Sequence, residues 1–119
     1  MDEARLAGLG REQAVDRLRV DFLAGLVALD TGVHVRRIRA DGRDAEIARA
    51  RQIAMYLAHV GFGWPLQRVG SVFGRHPTTV SRACHVVEDL REDKGFDIRL
   101  TALEDCVKAA PEMPAGADA

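Results

Sequence analysis

The 119-residue sequence is poor in aromatics, in cysteine and in long apolar runs, and each shortage removes a class of protein. Only six side chains are aromatic, so large core fillers are few, and Phe22, Trp64 and Phe73 are the expected ones. The two cysteines, Cys84 and Cys106, lack paired spacing and a nearby histidine pattern, which argues against a disulfide framework or a zinc site. Both read as helical thiols, buried or half-buried. No run approaches the roughly 18 apolar residues of a membrane span. The start, MDEARLAG, has neither the basic beginning nor the apolar stretch of a signal peptide, so the expected location is the cytoplasm. There is no G-x-x-x-x-G-K-[ST] phosphate loop. The four histidines (34, 59, 76 and 85) are scattered, and no nucleophile, metal or cofactor constellation emerges. Neither an enzyme nor a cofactor is expected.

What is present is charge, unevenly placed. The net charge of −1 conceals an acidic residue 1–33 segment, with four arginines against six acids. Residues 34–82 carry nine arginines against three acids, and residues 83–119 four bases against nine acids. One basic stretch between acidic flanks suits a polyanion partner, although a solvated surface can carry the same pattern.

Strand-like alternation is absent and helical periodicity dominates, so the fold class is all-α, with about five to six helices. A first helix, 11–29, places Val15, Leu18, Phe22, Leu26 and Leu29 on one stripe, with Ala14 and Leu23 beside it, and Gly32 can end it. VHVRRIRA (33–40) allows one or two turns with Val35 and Ile38 inward. DGRD (41–44) is a turn, and Asp44 a natural N-cap. A helix over 45–60 turns Ile47, Ala50, Ala54, Leu57 and Ala58 inward and Arg49, Arg51, Gln52 and His59 outward, until GFG breaks it. Pro65 opens a third helix that buries Leu66, Val69, Val72 and Phe73 and stops at Gly74. Pro77 opens a fourth, burying Val80, Ala83, Cys84, Val87 and Leu90. A last helix over 97–109 offers Ile98, Leu103 and Val107, and the tail 110–119 is expected to be disordered.

The short turn GRH between the third and fourth helices has the geometry of a helix-turn-helix, whose second helix enters the major groove by its N-terminal end. On that reading Thr78, Thr79, Ser81 and Arg82 fall outside the buried stripe. Threonine offers a hydroxyl and a methyl for thymine, and arginine a bidentate fork for guanine. Arg75, Arg49, Arg51 and Gln52 are typed for phosphates. From the residues alone, Thr78 and Thr79 read equally well as local caps of their helix.

IARARQIAMYLA (47–58) and LQRVGSVFGRHPTTVSRACHVVEDL (66–90) resemble the C-terminal DNA-binding domain of the bacterial replication initiator DnaA. The pairs Arg51-Gln52, Ala54-Met55, Val69-Gly70, Phe73-Gly74 and Ala83-Cys84, with Thr78-Thr79-Val80, match its pattern in order. The match extends from about Val27 to Leu90. The resemblance implies Arg43 in the minor groove, Arg51 and Gln52 at phosphates, and Thr78 and Thr79 against thymine methyls. Arg82 stands where the family usually has a DNA-facing histidine. The turn departs from the family's Gly-Gly-Arg-Asp-His: this chain has Gly74-Arg75-His76-Pro77, one residue shorter. His76 and Pro77 thus take the places of two base-reading residues, and a different DNA sequence from the initiator's box is expected.

The expected organisation is an N-terminal helix (1–30) packing on a DNA-binding domain (31–109), with the tail following. With no ATPase domain, the expected role is a nucleoid-associated transcription regulator that binds specific double-stranded DNA. The resemblance extends to activators of prophage-like gene transfer agents. The alternative is an interaction module for the replication initiator or for RNA polymerase. A partner transcription factor is compatible with either, no membrane partner is expected, and a monomer is favoured over a dimer joined through 11–29.

Overall fold

The computed structural model describes residues 3–40 and 42–110, with side chains from residue 10 onward. Among these residues there are six α-helices and no strand. The helices are α1 (Glu3–Thr31), α2 (Val35–Arg39), α3 (Ala45–Tyr56), α4 (Leu66–Phe73), α5 (Pro77–Leu90) and α6 (Lys94–Ala109), and a π-helical turn, Leu57–Gly61, extends α3. None is long and apolar enough to cross a membrane. The tail 111–119 lies outside the described residues.

The core is built around α3 and its π turn. Ala50, Ile53, Ala54, Met55, Tyr56, Leu57 and Ala58 are all buried there, against Ile38 of α2, Val69 and Phe73 of α4, Val80 and Val87 of α5, and Leu100 and Val107 of α6. Trp64 closes the cluster from the loop after the π turn, its N–H donating to the Ala58 carbonyl at 3.2 Å. His59, expected to point outward, is half-buried, with Nδ1 lying 2.7 Å from the Trp64 carbonyl oxygen.

α1 is rotated from the expected orientation, although Leu23 and the partly buried Leu26 pack on the core as expected. Its buried face is Val20, Leu23, Ala24 and Val27, whereas Leu18, Phe22 and Leu29 are 54%, 41% and 86% exposed. The helix carries two apolar stripes at three- and four-residue spacing, and periodicity alone cannot rank them. In the observed orientation Asp16, Asp21 and Asp30 reach Arg68 of α4 at 2.6 Å, Arg39 of α2 at 3.1 Å and Arg99 of α6 at 3.1 Å. Phe22 is therefore a surface residue, while Trp64 and Phe73 are core fillers as expected.

Local signals set the other boundaries. Gly32, in the left-handed region at φ 77°, ends α1. The one-turn α2 buries Ile38, leaves Val35 exposed, and hands the other inward place to Val33. Asp44 Oδ1 accepts the Glu46 N–H at 3.0 Å and starts α3. α6 begins three residues before its expected start because Asp93 caps it, accepting the Phe96 N–H at 2.9 Å. Its inward residues are Leu100 and Val107; Ile98 is 70% exposed and Cys106 is exposed too.

Candidate nucleic-acid interface

α4 and α5 meet through a turn that leaves no spare room. Gly74 adopts φ 68°, and the Arg75 N–H donates back to the Gly70 carbonyl at 2.8 Å. A Cβ on Gly70 would sit 2.4 Å from the Arg75 carbonyl oxygen, so only glycine lets the chain fold back here. Pro77 occupies the first turn of α5, where its missing N–H costs nothing. The N-cap is His76, whose Nδ1 accepts the Thr78 N–H at 3.1 Å. With the cap supplied by His76, Thr78 and Thr79 are exposed at the first turn of the helix.

α5 buries Val80, Ala83, Cys84 and Val87 against α3 and α4, with Leu90 half-buried. Thr78 and Arg82, four residues apart, share the face opposite that stripe, and both are exposed. Thr79 and Arg82 also flank a groove of about 180 Å³ that runs between α5 and α3 and is lined further by Ala48, Arg51, Gln52 and Arg75. Ser81 is half-buried on the other flank, away from that groove. His85 is exposed on the Thr78–Arg82 face and was not among the expected site residues. Its spacing of seven from Thr78 and three from Arg82 was the available signal.

The basic side chains divide into two groups. Arg43 is exposed in the loop before α3. Arg49 is exposed and donates from Nε to Gln52 Oε1 at 3.2 Å, holding the amide of the half-buried Gln52 at the groove. Arg51, expected to point outward, is instead 8% exposed. It flanks the core stripe of α3 and turns its guanidinium onto backbone carbonyls at the end of α2 and in the following loop. Arg75 is half-buried and folds back on its own turn. Arg36 and Arg37, also exposed, add charge beside the loop.

The far end of α5 differs in kind. Tyr56 Oη donates to Glu88, and Arg91 donates to Tyr56 Oη at 3.1 Å, Glu104 at 2.8 Å, Thr101 at 3.0 Å and Asp97. This network joins α3, α5 and α6. Burial, and then the hydrogen bond to Glu88, pushes the Tyr56 phenol up to about 12. Burial alone would lower the Arg91 guanidinium, but its bonds to Asp97, Tyr56 and Glu104 outweigh that and raise it. Burial pushes the Cys84 thiol up as well, as for an inert core residue. Among the described residues no group of three or more His, Cys, Asp and Glu could hold a metal.

The family model for the bacterial DnaA protein helix-turn-helix matches residues 20–87, more than half of the chain, including α3, α4 and most of α5. The chain belongs to the DnaA helix-turn-helix family. Among its relatives, the chromosomal replication initiator protein DnaA of Picosynechococcus is 37% identical over 71 residues, which are 59% of this chain and 16% of the relative. That of Rhodopseudomonas palustris is 33% identical over 91 residues, 76% of this chain and 19% of the relative. A crystal structure of a DNA replication initiation factor superposes with a TM-score of 0.72 at 30% identity, covering 84% of this chain and 31% of its own. The chain thus spans about a fifth of the length of these DnaA relatives.

Proposed function

We propose that the chain is a sequence-specific binder of double-stranded DNA that acts as a transcription regulator. The observation that carries this reading is the exposure of Thr78, Thr79 and Arg82 on the first two turns of α5, with the helix cap supplied by His76. In this reading α5 enters the major groove by its N-terminal end. Thr78, Thr79 and Arg82 meet base edges, with His85 one turn further along and Ser81 at the margin of the contact. Arg43 enters the adjacent minor groove, and Arg49 and Gln52, with the exposed edge of His76, lie along phosphates. Arg51 and Arg75 support the site from within. Family membership supports the fold of this reading head, and the basic character of residues 34–82 supports a polyanion partner. Regulation of transcription, gene transfer agent genes included, is the role proposed for this chain.

The test is selection of fragmented genomic DNA by the purified chain at physiological salt, followed by sequencing. Enrichment of a few loci that share a short motif is expected. Arg82→Ala should then relax one position of that motif, at about 1–3 kcal/mol, without lowering affinity for all sequences alike. Uniform recovery, or none, would overturn the reading and shift attention to protein partners of the acidic end.

A further inference from the structure

Two of the arginines expected at phosphates converge on a single backbone oxygen. Arg51 donates from Nε to the Ile38 carbonyl at 2.9 Å, and from Nη2 to the carbonyls of Arg37 at 3.4 Å, Gly42 at 3.3 Å and Ala40. Arg75 leaves the turn between α4 and α5 and donates from Nη2 to the same Ala40 carbonyl at 3.0 Å. Its Nη1 holds the turn itself, through the carbonyls of Phe73 at 3.1 Å and Gly74 at 3.3 Å. One carbonyl oxygen has two lone pairs and can serve both donors.

The need for this arrangement follows from the size of α2. A five-residue helix is too short to hold itself: the Ala40 N–H donates back to the Arg37 carbonyl at 3.3 Å, and the carbonyls of Ile38 and Ala40 take donors from Arg51. Arg51 supplies those donors from a different element, as a C-cap reaching across from α3. Its planar fork spans several carbonyls at once, which the compact ammonium of lysine cannot do.

We propose that the Ala40 carbonyl is a joint through which Arg51 and Arg75 lock the loop bearing Arg43 to the turn bearing α5. The loop and the recognition helix are then presented to the duplex at one fixed spacing, and their contacts form as a unit. Arg51 and Arg75 are positioning residues. This inference rests on the duplex-binding reading above, and it adds that the contacts in the two grooves are energetically coupled.

A double-mutant cycle on the full chain tests it, with the duplex recovered by genomic selection as the probe and anisotropy read across a salt series. Arg51→Lys keeps the charge, yet it should weaken binding by about tenfold, like Arg43→Ala. In the Arg51→Lys background, Arg43→Ala should cost less than about twofold more. The salt slope should fall by about one in either single variant and no further in the double. A global loss of stability would lower the active fraction and leave the slope alone. Wild-type affinity in Arg51→Lys, no cost for Arg43→Ala, or losses that multiply would each overturn the inference while leaving duplex binding intact. Should circular dichroism show Arg51→Lys to be unfolded, the same cycle with Arg75→Lys decides, on the same criterion. A wild-type chain that recovers no duplex would overturn the proposed function first, and the joint with it.

Discussion

The two ends of α5 carry similar residue types and use them in opposite ways. At the N-terminal end Thr78, Thr79 and Arg82 are exposed. At the C-terminal end Glu88 and Arg91 are drawn into the network with Tyr56, Asp97, Thr101 and Glu104. An arginine is present at each end, and a third, Arg51, is buried beside the reading end. Charge type therefore does not distinguish a group that can meet a ligand from one that holds the fold; its surroundings do. The helix is anchored where its flanks are acidic and presented where they are basic.

The largest effect that would break this contrast is removal of the anchor. Arg91→Met leaves Glu104, 8% exposed, without its guanidinium partner, and should cost about 2–4 kcal/mol in urea unfolding. Once folded, the variant should bind DNA as the wild type does, because the reading end is untouched. Gly70→Ala strikes the other end. The new methyl would press on the Arg75 carbonyl, and a loss of about 2–3 kcal/mol is expected, together with weakened DNA binding. A variant that melted lower yet kept full affinity would show that the aim of α5 does not depend on the turn.

A smaller effect lies at alkaline pH. Tyr56, the one tyrosine of the chain, is held up to about 12 against an ordinary value of 10.0. Folding therefore favours the protonated phenol. Its contribution to stability is full below pH 10 and is lost as the pH rises toward 12. Ultraviolet titration of the folded chain should give a phenolate midpoint well above that of the chain in denaturant, and equal midpoints would contradict the network. The smallest effect belongs to the surface pair of Asp16 and Arg68. Asp16→Asn should shift stability by no more than about 0.5 kcal/mol, and the shift should vanish in high salt.

Legibility in the sequence followed the local punctuation. Gly74 and Pro77 marked the turn, and Val80, Ala83, Cys84 and Val87 fitted one stripe against an otherwise polar helix, so α4 and α5 emerged at the residues the structure shows. α1 was misread because two apolar stripes compete on it, and the core that receives Val20, Leu23, Ala24 and Val27 is built by α3 and α6, far along the chain. Arg51 was misread because spacing places it beside the core stripe but says nothing of carbonyls thirteen residues earlier that need donors. His59 and α6 shifted for a similar reason: their partners, the Trp64 carbonyl and the Asp93 cap, are particular contacts with no periodic signature.

The gap at Gly70, too narrow for a methyl group, also limits how such a domain can diversify. Position 70 cannot accept even the smallest side chain without moving the turn, since a methyl there already meets the Arg75 carbonyl oxygen. New preferences must come by exchanging the side chains at 78, 79, 82 and 85 on a helix whose aim stays constant. Descendants of such a chain would differ in what α5 displays, and agree in where it points.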